Sequence, residues 1–322
     1  MVQKLQHPKF VTDSGKVLET LTLQYQTFGL PLGEGPTILI LHSLTGDAQV
    51  CGPGGWWSDI VGPGRPISIE DYSILAFNIP GNGVDGYTLA HPEDFHLGDI
   101  ARLMLWGLQQ LDIAELYAVV GGSIGGGLVW ELAAISPKLA QHWIPIAADW
   151  KATDWLLAHT YLQRNILASS NDPLFVARIN AMITYRHPKS FKSRFKRSFN
   201  NEKQKFNIES WLDHHGAKIK ERFLLDAYKA MNHLLSTLDI CRGGESFVTL
   251  LSPNQGKFHL VAIDTDLFFF PEEDQATTSD LKNLGIDVSY HEIHSNHGHD
   301  AFLIESQQLQ QILAPIFKVI KR

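Results

Sequence analysis

Cysteine is scarce in this chain: Cys51 and Cys241 are the only two in 322 residues, and they stand far apart. Two such residues form neither a disulfide framework nor a metal-ligand spacing, so a reducing cytoplasm is the expected setting. Long apolar runs are also lacking. No stretch approaches the roughly 18 consecutive apolar residues of a membrane span, and the start, MVQKLQHPKF, lacks the apolar run of a secretory signal. An excess of basic residues is missing too: the net charge is -7, which argues against nucleic acid or an anionic membrane as partner. What remains is 44% hydrophobic and 19% charged, the composition of a soluble globular protein large enough for one elaborated domain or two modest ones.

Short apolar runs rich in β-branched residues recur at 37–43, 72–79, 115–121, 142–148 and 258–264, and these read as buried strands. The segment LTLQYQTFG (21–29) alternates instead, as a half-exposed antiparallel edge does. Ile100, Leu103, Met104, Leu108 and Leu111 fall on one helical face. Strands alternating with helices specify a mostly parallel sheet covered on both faces. Between about Trp150 and Ile240 the pattern turns helical, with no convincing strand, and strands resume at Phe258. The expected organisation is therefore a core in two parts, 1–149 and 241–322, with a helical cap at 150–240 over the sheet's C-terminal edge. The basic run RFKR (194–197) reads as a solvated helix face.

Within AVVGGSIGGGLVW (118–130), five glycines surround Ser123, between a strand ending near Val120 and a helix starting near Ile124. Gly121, Ser123 and Gly125 make G-x-S-x-G, the pattern of a nucleophile elbow in which small neighbours permit a strained serine. A dinucleotide-binding loop would follow the first strand and have an acidic residue about 20 positions on, and a Walker loop would carry Gly-Lys-Ser/Thr. Neither is present. A glycine-rich turn without chemistry is left as the alternative, and the partners of the serine must decide.

A nucleophilic serine needs a base, and the base an orienting acid, in chain order Ser, Asp, His on this architecture. VAIDTDLFFFP offers Asp264 and Asp266 at a strand end. HEIHSNHGHDAF offers His291, His294, His297 and His299, of which the last two fall in the loop after a strand ending near Ile293. The H-x-x-H-x-x-H-x-H spacing also raises a metal reading, but it matches no established zinc motif, and no metal is expected.

With elbow, acid and histidine in place, the chain resembles the homoserine O-acetyltransferase family over nearly its whole length. The family's fold is that of the α/β hydrolases. LTLQYQTFG and HSLTGD look like its opening strand and first active-site loop, and GWWSDIVGPGRPI is like its Trp-rich segment. ARINAMITYR resembles a cap-helix motif and GHDAFL a C-terminal histidine signature, and these two are far more specific than G-x-S-x-G. Carried over residue by residue, the resemblance implies Ser123 as nucleophile, His299 as base and Asp266 as acid, with Asp264 the lesser candidate. It implies backbone N–H groups of Leu44 and Ile124 as the oxyanion hole, and Arg178, Tyr185 and Asp300 as substrate-binding residues. Residues seven apart on a helix share a face, so Arg178 and Tyr185 can point into one cavity. A guanidinium suits the carboxylate of an amino acid and a carboxylate suits its ammonium.

Two segments depart from the family pattern. NIPGNGVDGYTLAHPEDFHLGDIARL differs from the usual Gly, Ser and Pro-rich stretch, and the elbow reads Ser-Ile-Gly in place of Ser-Met-Gly. The resemblance implies ping-pong acyl transfer from acetyl-CoA to L-homoserine in methionine biosynthesis, with no cofactor and with a homodimer formed through the cap helices. A succinyl donor, a carboxylic-ester hydrolase on the same triad, and a catalytically silent binding protein are the alternatives.

Overall fold

The computed structural model describes residues 2–317; positions 318–322, the end of the expected second core segment, lie outside the described residues. In chain order the first half supplies β1 (Gln3–Val11), β2 (Val17–Gly29), β3 (Thr37–Leu41), β4 (Ser73–Phe77), α1 (Leu97–Gln110), β5 (Leu116–Gly122), α2 (Ile124–Ile135) and β6 (Ala140–Ile146). An insertion follows, with α3 (Asp154–Ser169), α4 (Pro173–Tyr185), α5 (Pro188–Phe195), a short hairpin of β7 (Phe199–Asn200) and β8 (Lys205–Phe206), α6 (Asn207–Lys220) and α7 (Leu225–Ser236). The chain ends with α8 (Phe247–Leu251), β9 (Lys257–Ile263), α9 (Pro271–Asn283), β10 (Val288–Ile293), α10 (Ala301–Ile304) and α11 (Ser306–Leu313).

Eight strands form one sheet in the order β1-β2-β4-β3-β5-β6-β9-β10. The pairs β1–β2 and β2–β4 are antiparallel and the rest are parallel. The parallel strands carry apolar side chains on both faces, which is why they read as continuous runs. Leu39, Leu41, Leu75, Phe77 and Val119 join the core beneath α1 and α2. Their neighbours Ile38, Ile40, Ile74, Ala76 and Val120 pack on the other face against Trp57, Ile60, Leu309 and Leu313.

Two expectations need correction. LTLQYQTFG is not an edge: β2 is the second strand, because β1 pairs along it from Gln3–Tyr25 to Val11–Val17. Six of the nine residues of β1 are exposed, and with Pro8 and two lysines it carries no apolar alternation to reveal it. The insertion is not free of strand, since β7 pairs with β8. The basic run is not one helix face either: α5 stops within it at Phe195, and Lys196 and Arg197 take left-handed backbone conformations with φ of 48° and 56°.

The insertion is closed at its neck. Ala152 donates to the Leu238 carbonyl at 2.8 Å and Ile240 to that of Trp150 at 3.3 Å, so the chain leaves and re-enters the core side by side. Its helices start where the sequence allows. The Thr153 hydroxyl caps α3 by accepting from the Leu156 amide, and Pro173 and Pro188 open α4 and α5, where a missing N–H costs nothing. No helix among the described residues is long and apolar enough to cross a membrane. Cys51 and Cys241 are free thiols.

Just past the neck, Arg242 reaches back into the core. It donates to Glu131 on α2 at 2.6 Å and pairs with Asp13 at 3.0 Å. Glu131 is fully buried, and burial pushes its pKa up to about 7 although Arg242 pulls it down. Replacing Arg242 by Met therefore leaves a buried carboxylate unpaired. The expected loss is about 3–5 kcal/mol. A carboxyl whose folded pKa lies above its unfolded one favours the folded state at low pH and loses that advantage as pH rises through the folded value. Thermal unfolding of R242M should accordingly show a larger deficit at about pH 8 than at about pH 5; an equal deficit at both would show that Glu131 is not the group left uncompensated.

Candidate active site

The site is built at the C-terminal ends of the parallel strands, beneath the insertion. Ser123 stands between β5 and α2 with φ 58° and ψ -125°, outside the ordinary range for an L-residue. The glycines make this possible. A Cβ on Gly121 would lie 2.2 Å from the Gly125 carbonyl oxygen, and one on Gly125 would lie 2.3 Å from that of Leu41. The serine is locked by donating its N–H to Ile146 at 2.9 Å and accepting from the Gly127 amide at 3.0 Å.

His299 Nε2 lies 2.9 Å from Ser123 Oγ, and its Nδ1 lies 2.7 Å from Asp266 Oδ2. All three residues are buried. The other oxygen of Asp266 accepts from the amides of Phe268 at 2.7 Å and Phe269 at 3.0 Å, which fixes the carboxylate's direction. A carboxylate at Nδ1 selects the tautomer that leaves Nε2 as acceptor for the serine proton. The imidazole is walled by Phe268, Phe269, Phe302 and Tyr185, with ring centroids 5.1–5.8 Å away.

The other histidines of the cluster go elsewhere. His291 bonds Ser289 within β10, His294 is exposed beside Asp264, and His297 Nδ1 accepts from Arg186 at 3.0 Å. Asp264 spends one oxygen on the Ser295 amide and the other near His294, away from His299. Among the described residues, the one group of three whose ligand atoms converge is Asp264, Glu292 and His294, within 4.8 Å of one another. It excludes Ser123 and its partners.

Leu44 lines the cavity beside Ser123, and its amide makes no backbone hydrogen bond among the described residues. Ile124 provides the first amide of α2, at the positive end of that helix. The loop bearing Leu44 is braced by a residue that sequence reasoning missed. His42 is buried, and burial pushes its pKa down. Its Nδ1 donates to the Ser43 carbonyl at 2.7 Å, and its Nε2 accepts from the Ile79 amide at 2.9 Å. Asn82 lies 3.3 Å from the same nitrogen and also bonds Asn78, which accepts from Ala48 at 2.8 Å. The divergent NIPGNG stretch is thus the support of the loop.

A cavity of about 180 Å³ opens on Ser123 and His299, and Leu44, Arg178, Tyr185, Arg222 and Asp300 line it. Arg178 and Tyr185 come from one face of α4, as their spacing predicts. Burial holds Tyr185 far above the usual phenol value, so it is a neutral donor. Arg178 makes no hydrogen bond or ion pair among the described residues. Asp300 also lines the cavity, and its carboxylate lies 2.9 Å from Arg186 Nε, a contact of charge whose hydrogen-bond alignment is poor. Arg186 was missed because the acid it meets is more than a hundred residues away in sequence. Such a site can activate a hydroxyl for attack on an acyl carbon, collect the oxyanion on two amides, and hold an anion beside them.

The alpha/beta hydrolase fold family matches residues 36–303. The homoserine O-acetyltransferase of Trichormus variabilis is 31% identical over 331 residues, spanning 94% of this chain and 90% of that protein. The crystal structure of the homoserine O-acetyltransferase from Staphylococcus aureus superposes with a TM-score of 0.85 at 25% identity, over 100% of this chain and 97% of that one. Esterase E22 has a TM-score of 0.87 at 17% identity, covering 99% of this chain and 100% of its own, a likeness of fold alone. Taken with that sequence identity along nearly the full length, the fold places this chain in the homoserine O-acetyltransferase family of the alpha/beta hydrolases.

Proposed function

We propose that the protein transfers the acetyl group of acetyl-CoA to the hydroxyl of L-homoserine through an acyl-serine. The observation that carries this reading is one cavity holding both a serine already bonded to its base and an arginine, Arg178, with no anionic partner among the described residues. Ser123 attacks the thioester carbon while His299 takes its proton, and the oxyanion rests on the Leu44 and Ile124 amides. The C–S bond then breaks and His299 returns the proton to the CoA thiolate. In the second half, His299 takes the proton of the homoserine hydroxyl, whose oxygen attacks the acyl carbon; the acyl–Oγ bond then breaks and His299 returns the proton to Ser123 Oγ.

In this reading Asp266 orients and charge-balances His299, and Arg178 holds the acceptor's carboxylate. Tyr185 donates from the cap. Asp300, paired with Arg186, forms the wall that faces the ammonium. The insertion at 150–240 acts as a cap that keeps water from the acyl-enzyme, the condition for transfer over hydrolysis. A homodimer through the cap fits Trp155, Leu157, Tyr161 and Leu162, large side chains left exposed on α3. The cytoplasm is the expected setting, and methionine biosynthesis the expected use.

Incubation with acetyl-CoA, with and without homoserine, tests the reaction by release of free thiol. Release that depends on homoserine supports transfer, release without it means hydrolysis, and a preference for succinyl-CoA would change the donor. Ser123→Ala and His299→Ala should each lower kcat by about 10⁴-fold or more. His297→Ala should retain most activity, because its ring meets Arg186 and not the serine. Intact mass after acetyl-CoA alone should show a single acetyl adduct that Ser123→Ala lacks.

Arg178→Ala should raise the KM for homoserine by about 30-fold or more and leave acylation by acetyl-CoA in place. Arg178→Lys should recover part of the loss, since an ammonium cannot make the planar two-point contact. A variant that binds homoserine normally yet fails to become acylated would move Arg178 to the donor side.

A further inference from the structure

Three guanidiniums line the cavity over Ser123: Arg178, Arg186 and Arg222. Arg186 is offset by Asp300 at 2.9 Å. Arg178 has no partner among the described residues. Arg222, in the turn between α6 and α7, donates to the Thr45 carbonyl at 2.9 Å and to the Thr45 hydroxyl at 3.4 Å, and both acceptors are neutral. A guanidinium carries five N–H donors, so three on Arg222 are left over. Two cations with no ion-pair partner among the described residues therefore face one cavity. Much of Arg222 is exposed at the rim, yet desolvation of its guanidinium, and then the charge of Arg178, push it below the usual arginine value, with Asp47 opposing.

Like charges held together in this way are relieved by an anion between them. The acetyl group is neutral, whereas the acceptor carries a carboxylate whose two oxygens can each take a guanidinium fork. We propose that Arg222 is a second anchor for the acceptor's carboxylate, acting with Arg178, an assignment that rests on the acyl-transfer reading above. The bonds to Thr45, next to Leu44, fix the guanidinium against the loop that faces Ser123. The carboxylate is thereby held at a set distance from the acyl carbon, and acids with a hydroxyl at the right reach are preferred to plain alcohols.

The experiment compares two acceptors, homoserine and aminopropanol, which is homoserine without its carboxylate. Wild type, Arg222→Gln and Arg222→Lys are assayed, with formation of the acetyl adduct measured first in each preparation as evidence of a folded site. Arg222→Gln should raise the homoserine KM by about 10-fold or more, with kcat changed far less. The lysine variant should fall between, and kcat/KM for aminopropanol should be the same in all three. An equal loss with both acceptors, or a normal homoserine KM in Arg222→Gln, overturns the assignment and leaves Arg222 as a latch on Thr45. A rise in the acetyl-CoA KM instead gives Arg222 to the donor's phosphates and overturns it as well. Failure of wild type to transfer to homoserine removes the acyl-transfer reading, and this assignment with it.

Discussion

The geometry of the site rests on the backbone of Ser123. At φ 58° and ψ -125° it sits where a non-glycine residue costs about 1–3 kcal/mol. The surrounding contacts hold it there: the N–H is tied to β6 through Ile146, and the carbonyl is the first acceptor of α2. Both flanking glycines abut carbonyl oxygens closely enough that no side chain could stand in their place. The turn lifts Oγ off the end of the sheet and begins a helix directly after it. One local strain thus presents the Ser123 hydroxyl and the first amide of α2 to the same point.

The second wall of that point comes from a different part of the chain. Leu44 follows β3, and its loop is held by His42, whose buried ring bridges the Ser43 carbonyl and the Ile79 amide. Burial keeps the ring neutral, so one nitrogen donates and the other accepts, and both bonds can form at once. A protonated ring would lose the second. Segment 78–83 thus serves the loop through one backbone amide, that of Ile79, and two asparagine side chains, Asn78 and Asn82.

Most of the sheet was legible because parallel strands buried on both faces leave long apolar runs, and the hydrogen-bonded run of Ser123, His299 and Asp266 was foreshadowed by the chain order of serine, acid and histidine. What escaped had weaker or longer-range causes. β1 is an edge strand, exposed along most of its length, and its exposed positions place no apolar demand on the sequence. α6 carries four charged residues and two histidines among its fourteen, so its few apolar positions, Ile208, Trp211, Leu212 and Ile219, make a weak signal. His299 and His297 could be told apart by resemblance alone, since both lie in the same loop; only the fold sends one to Asp266 and the other to Arg186. The pairing of Asp300 with Arg186 likewise depends on the end of α4 meeting the last loop, which no local pattern encodes.

That meeting joins the cap to the turn of His299. Arg186 contacts His297 on one side of His299 and Asp300 on the other. Between them Gly298 has φ 64°, and a Cβ there would lie 2.6 Å from the Tyr185 carbonyl oxygen, so the turn carrying His299 packs directly on the end of α4. Tyr185 adds its ring 5.4 Å from the imidazole. Moving this end of the cap would release the turn that carries His299, while at the other end Ala227, Met231, Leu234 and Leu235 of α7 are buried in the core and Arg222 adds two contacts on Thr45. The cap is thus built unevenly. Its α4 end packs on the turn that carries His299, its α7 end is buried in the core, and the turn between α6 and α7 meets the Thr45 loop through hydrogen bonds from the exposed Arg222.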